Sequence, residues 1–433
     1  MFGGLRQASR DQVATGPWPS AVFRSGILFA NFFLIIMALY QLKPASRSLI
    51  LAAHGTAILP YVWIGSAAVL LVAVSFYHRV LDRYSRLRVV LGTCLLFIVL
   101  LLGFRVWLAF PGKVASVAFY IFVDVLGVVL VEQFWSLTNS IYSTAEGKRW
   151  YGLVGTGGLV GGAVGSGAAA LTIRYTPLHT PDLLLVAAAI IGVIFVLTWI
   201  MGRLDVYARA EAIAGSAPKG GNWRLLTHSR YLLLIAGALL LAQLVSPVVE
   251  YQFLRVIEHT YHDQETRTTV LSLFFSVLSA VSIAINVIIT PLVLRYLGVL
   301  AGLLVQPLVL ATTTYGFMSH PSLIPAATMK ISDRGLSYSI NRAAKELLYI
   351  PVDPVLIYQA KAWIDMFGYR IFKVAGSMLI LVLTQWTTLA SGRFDLSWVI
   401  IGGCLVWTGV LFALYREYRG LTSAPTAIVP PAT

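Results

Sequence analysis

Twelve apolar runs, most about twenty residues long, recur along this 433-residue chain, and they constrain its fold more than any other feature. They fall at 21–42, 56–78, 89–110, 114–141, 153–174, 183–201, 231–254, 268–294, 298–317, 323–348, 363–385 and 396–415. About 20 residues in a helix cross the hydrocarbon core of a bilayer. There every backbone N–H and C=O must find its partner within the segment, so such runs are helical. Only 12% of residues are charged, against about 25% in a soluble domain. Soluble, secreted and disordered readings are excluded. The chain reads as an all-α membrane protein with twelve transmembrane helices.

The longest connection, 202–230, divides the runs six and six. It carries Arg203, Arg209, Lys219, Arg224 and Arg230 around a Gly-Ser-Ala-Pro stretch, the composition of a flexible linker. This gives an N-terminal six-helix bundle at 1–201, a linker, and a C-terminal bundle at 231–433. Basic residues concentrate in that linker, in the loop with Arg83, Arg86 and Arg88, and near both ends. The positive-inside rule then puts both termini in the cytoplasm. The first nineteen residues show neither a cleavable signal pattern nor a long transit peptide. Six plus six helices joined by a cytoplasmic linker resemble the plan of major facilitator transporters, whose halves pack around a midplane site. Asp82-Arg83-Tyr84-Ser85-Arg86-Leu87-Arg88 is similar to the Asp-Arg-x-Gly-x-Arg gate loop between helices two and three of those proteins, with Ser85 at the glycine. A merely basic loop explains its arginines but not Asp82.

Charged side chains at membrane depth are costly and mark function. The tenth run is richest. Lys330, Arg334, Tyr338, Asn341 and Lys345 recur every three or four residues, the spacing of one helical face. Arg342 flanks them, and Asp333 can partly neutralise Arg334. Such a helix lines a polar cavity; the competing reading is an amphipathic helix lying on the membrane. The eleventh run adds Asp365, Arg370 and Lys373, the fourth Asp124, Glu132 and Asn139, the seventh Glu250 and the third Arg105. A formal charge of +14, with cations in excess inside the spans, suits an anionic cargo such as a phosphate or carboxylate. The carboxylates either pair with these cations or carry protons, and each is equally readable as a structural ion pair.

Other motifs lead elsewhere. In the fifth run Gly157, Gly161 and Gly165 lie four apart. No Gly-Lys-Ser/Thr follows them and no strand precedes, so the run reads as small-xxx-small helix packing rather than a phosphate loop. Glu258-His259-Thr260-Tyr261-His262-Asp263 has no second cluster to complete a metal shell and reads as a solvated loop. Cys94 and Cys404 sit singly in apolar runs. No nucleic-acid motif and no complete catalytic constellation occurs, so we expect no enzyme, cofactor, metal or nucleic-acid partner.

Three stretches carry a family resemblance. The first joins Lys345-Glu-Leu-Leu-Tyr-Ile-Pro-Val-Asp353, Lys361-Ala-Trp-Ile-Asp365 and Gly368-Tyr-Arg-Ile-Phe-Lys-Val-Ala-Gly-Ser377. The second is Phe134-Trp-Ser-Leu-Thr-Asn139 with Glu146-Gly-Lys-Arg-Trp-Tyr151, and the third is Val249-Glu250. Together they resemble the ATP/ADP translocase family of plastids and intracellular bacteria. The chain departs from that family's pattern at Leu42-Lys-Pro-Ala-Ser-Arg47, at Ala57-Ile-Leu-Pro-Tyr61 and near Leu254. The resemblance implies a monomeric transporter in a bacterial inner membrane that exchanges anionic phosphorylated solutes, nucleotides above all, by alternating access. Lys330, Arg334, Arg342, Lys345, Arg370 and Lys373 would bind phosphates, with Arg47, Arg105 and Asn139 contributing from the N-terminal half. Glu132, Glu250, Glu346 and Asp365 would pair with these cations, and Asp82, Arg83 and Arg86 would form the gate loop. Two other classes stay open: a proton-coupled carrier of another anionic metabolite or lipid, and a non-transporting sensor or scaffold.

Overall fold

Apolar runs bounded by Gly, Pro and basic clusters become twelve long helices among the residues described by the computed structural model. Those residues are 20–81, 83–110, 112–142, 144–204, 206–207, 230–349, 364, 368–389 and 395–423. In order the helices are α1 (Ala21–His54), α2 (Leu59–Leu81), α3 (Arg86–Trp107), α4 (Val114–Ile141), α5 (Thr144–Tyr175) and α6 (Leu183–Arg203). Then come α7 (Arg230–Thr260), α8 (Gln264–Ala284, continued through a π turn at Ile285–Ile289 into Thr290–Tyr296) and α9 (Gly298–Ser319). The last are α10 (Leu323–Leu336, a π turn at Ser337–Asn341, then Arg342–Leu348), α11 (Tyr369–Leu389) and α12 (Ser397–Ser423). Ten of the described helical stretches are long and apolar enough to cross a membrane. The two that are not, α10 and α11, carry Lys330, Asp333, Arg334, Arg342, Lys345, Arg370 and Lys373.

Hydropathy ends the first span at Leu42, yet α1 runs twelve residues further, through Pro44. Proline has no N–H for the Tyr40 carbonyl and would normally break the helix. A neighbour supplies the missing donor: the Ser166 hydroxyl of α5 donates to Tyr40 O at 3.4 Å. Beside it Gln41 Nε2 donates to Gly165 O at 2.9 Å. The π turn in α8 has a similar origin, since Pro291 follows it and Thr290 Oγ1 donates back to Ile285 O at 3.1 Å.

The chain forms two compact units. The first comprises Met1–Leu49, Leu70–Pro218 and Thr268–Ser276. In it the glycine face of α5 lies directly on the backbone of α1. A Cβ on Gly157 would sit 2.7 Å from Phe29 O and one on Gly165 2.6 Å from Met37 O, while one on Gly161 would collide with Phe33 O. The packing reading of that run is therefore correct. Phe32 stacks on Phe134 at 4.5 Å, and buried Arg24 pairs with Glu146 at 2.8 Å.

The second unit comprises Ile50–Val69, Lys219–Arg267 and Val277–Thr433. Its core gathers Tyr231, Ile235 and Leu239 of α7, Leu348 of α10, and Trp407 and Leu411 of α12. At one end Glu258 of α7 accepts from Thr56 N (2.9 Å) and Thr56 Oγ1 (2.7 Å). The carboxylate lies so close to Gly55, whose φ is +71°, that only glycine fits there.

Candidate functional site

The charged cluster in the second unit is built on α10, braced by α7 and α9. Lys330 is 1% exposed, and its Nζ lies 2.7 Å from Glu250 Oε2 and 3.2 Å from Asp333 Oδ2. Asp333 Oδ2 also accepts from the Ser246 hydroxyl at 2.7 Å and stands 3.5 Å from Arg334 Nε. The Asp333 carbonyl accepts from Gln306 Nε2 at 2.9 Å, and Gln306 Oε1 accepts from Asn341 Nδ2 at 2.7 Å. Two cations thus face two carboxylates, and a neutral donor, Ser246, adds a hydrogen bond to Asp333. That is the condition for holding charges away from water.

Burial along the predicted stripe is uneven. Lys330, Asp333 and Asn341 are buried, Arg334 and Lys345 are half-buried, and Tyr338, Arg342 and Glu346 are exposed. The π turn at Ser337–Asn341 adds a residue to one turn and rotates everything beyond it, so the regular three-and-four spacing breaks. Lys345 Nζ reaches Tyr369 Oη of α11 at 3.0 Å. Arg370 and Lys373 follow on α11, both half-buried. Asp365 lies outside the described residues.

In the first unit the structure places the other candidates separately. Arg47 sits over the rings of Tyr120 and Phe275, each at 5.5 Å. Arg105, at the end of α3, pairs with Asp182 at 2.7 Å, and Asp182 also accepts from His179 N at 2.8 Å. Glu132 and Asn139 are exposed on α4. Of the gate loop, Arg83 is exposed and Arg86 Nη1 donates to Ser140 Oγ at 2.6 Å; Asp82 lies outside the described residues. No group of three or more His, Cys, Asp or Glu suited to a metal occurs among the described residues. In the histidine-bearing loop, Asp263 accepts from Thr266 N at 2.7 Å and caps α8. That bond holds its carboxyl below the usual carboxylate range.

Ser246 and Gln306 are site residues that sequence reasoning missed. Each is a polar side chain in the middle of an apolar span, and that contrast was the available signal.

The fold and the sequence both have relatives. A bacterial homologue of the iron transporter ferroportin, crystallised in an inward-facing state, superposes with a TM-score of 0.60 at 14% identity, over 92% of this chain and 99% of that one. A nucleoside transporter does so with a TM-score of 0.59 at 10% identity and the same coverage. These likenesses concern the fold, a helical bundle in which ten of the described helical stretches are long and apolar enough to cross a membrane. The chain is 25% identical over 348 residues to ADP,ATP carrier protein 3 of Rickettsia prowazekii, 69% of each protein. It matches the profile of the TLC ATP/ADP transporter family over residues 106–331 and 322–418. The chain belongs to that family, and it is a carrier rather than an enzyme.

Proposed function

We propose that this carrier exchanges nucleotides, ATP against ADP, across a bacterial inner membrane by alternating access, with both termini in the cytoplasm and 202–230 as the linker between six-helix bundles. The observation that carries the reading is the family match across both halves of the chain. The charges on α10 and α11 are consistent with it. Arg334, Arg342, Lys345, Arg370 and Lys373 offer guanidinium forks and ammonium groups to a polyphosphate, and Arg47 adds a cation in the first unit. Buried Lys330, held between Glu250 and Asp333, orients α10 and sets the local charge. Exchange needs no hydrolysis, because the opposing gradient supplies the free energy. In proteoliposomes loaded with ADP, we expect uptake of labelled ATP to rise well above that in empty vesicles. Uptake indifferent to every internal nucleotide would refute exchange.

One observation favours a second reading. Glu250 and Asp333 both contact the buried Lys330 ammonium, so carboxylates stand at membrane depth where a coupling proton would be carried. A proton-coupled carrier of another anion would show uptake driven by an imposed pH gradient and unaffected by internal ADP.

A further inference from the structure

Away from the charged cluster, the first unit holds a groove of about 370 Å³ between α2 and α3, with α4 behind it. Arg88, Gly92 and Leu96 form its α3 wall; a spacing of four puts them on one helical strip. Phe76, Tyr77 and Val80 form the α2 wall, and Tyr84 stands at its mouth. A Cβ at Gly92 would meet nothing within 4 Å, so the α3 wall is open there. Its size falls in the usual range of ligand sites, about 300–1,000 Å³.

We propose that this groove binds one phospholipid with an anionic headgroup, an acyl chain lying along Gly92 and Leu96 and the phosphate at Arg88. Three observations support that occupant. The walls are apolar, and Phe76 and Leu96 are 64% and 55% exposed on spanning helices; such a face meets hydrocarbon. Among the lining residues the charge is Arg88, and Arg79 and Arg83 are exposed in the adjoining residues. Exposed Tyr84 marks the Arg88 end as the headgroup level, where amphipathic rings collect. Arg86 does not contribute, because it is bonded to Ser140 on α4. Glu132, exposed on α4, interacts electrostatically with Tyr77 of the α2 wall, as does Arg86, so the carboxylate near the groove has a cation beside it. A water-soluble anion gains nothing from the apolar walls, whereas a lipid uses both ends.

Native mass spectrometry of the full chain with dioleoyl phosphatidylglycerol or dioleoyl phosphatidylcholine tests this, with thermal unfolding run alongside. A basic residue near an anionic lipid surface is worth about a fivefold preference. We expect the wild type to retain one phosphatidylglycerol about fivefold better than phosphatidylcholine. Arg88→Gln should bring the ratio to about one, and Gly92→Leu, which fills the groove without touching a charge, should lose the retained lipid. Should Gly92→Leu not stay monodisperse, Leu96→Trp fills the same groove from further along. Equal retention by all variants would overturn the proposal in favour of general bilayer contact. Equal stabilisation by inorganic phosphate would overturn it in favour of a bare anion site. A dimer lost in Gly92→Leu without lipid preference would show that a second copy of this chain is the occupant.

Discussion

Lys330 decides the behaviour of its neighbours. Replaced by Met, it leaves Glu250 and Asp333 facing a neutral chain in a buried site, and breaking a buried ion pair in this way costs about 3–5 kcal/mol. We expect Lys330→Met to lower the melting temperature sharply. Adding Glu250→Gln should recover part of the loss, because Asp333 keeps Arg334 and Ser246 as partners. Additive losses in the double variant would show that the groups are not coupled. Arg334 differs, being 26% exposed at the edge of the cluster. A charge-assisted hydrogen bond contributes about 1.5–3 kcal/mol, so Arg334→Gln should weaken nucleotide binding roughly ten- to a hundredfold while the chain stays folded. Affinity and melting temperature measured on the same sample separate the two effects. The cations were legible in the sequence because charge in an apolar run stands out. Which of them is locked in an ion pair was not, since that depends on Glu250, eighty residues away on another helix.

Helix packing sets the next scale. The glycines of α5 are not equivalent: Gly161 touches the α1 backbone, whereas Gly152 and Gly155 have nothing within 4 Å of an added Cβ. Gly161→Ala should therefore cost about 1–3 kcal/mol by overpacking, whereas Gly152→Ala should be neutral or stabilise by up to about 1 kcal/mol. Thermal unfolding of the two variants side by side checks the contrast. At the start of α8 the Asp263 cap carries a pH signature. Its carboxyl is depressed in the folded chain, so its contribution is complete above the unfolded value of about 3.9 and is lost as pH falls through the folded one. Asp263→Ala should lower stability by about 1 kcal/mol at neutral pH, and the gap to wild type should close in acid. A gap that stays constant down to pH 3 would assign the loss to packing instead.

For the whole molecule, orientation is the property most open to direct measurement. Cys94 and Cys404 are both buried, so the native chain should be nearly silent to a membrane-impermeant maleimide. Lys113 and Arg230 are exposed beyond the ends of α3 and at the start of α7. With the termini inside, Lys113→Cys should label in intact cells and Arg230→Cys only after permeabilisation. The reverse pattern would invert the topology.

The twelve helices, ten of them long and apolar enough to span, the helical class and the family were readable from the chain, because burial in hydrocarbon is a local demand that each segment meets with its own residues. Helix ends were read less well. Hydropathy stops at Lys43 and Pro44, but α1 continues because Ser166 offers the donor that Pro44 removes from Tyr40. The α10 stripe was read as a regular helix, without the π turn that interrupts it at Ser337–Asn341. Arg105, which reads as cargo-binding, lies against Asp182. The first and last of these outcomes depend on a partner brought in from another segment. Local sequence states what a segment can bury, but only tertiary packing decides which carbonyl, carboxylate or ring it is buried against.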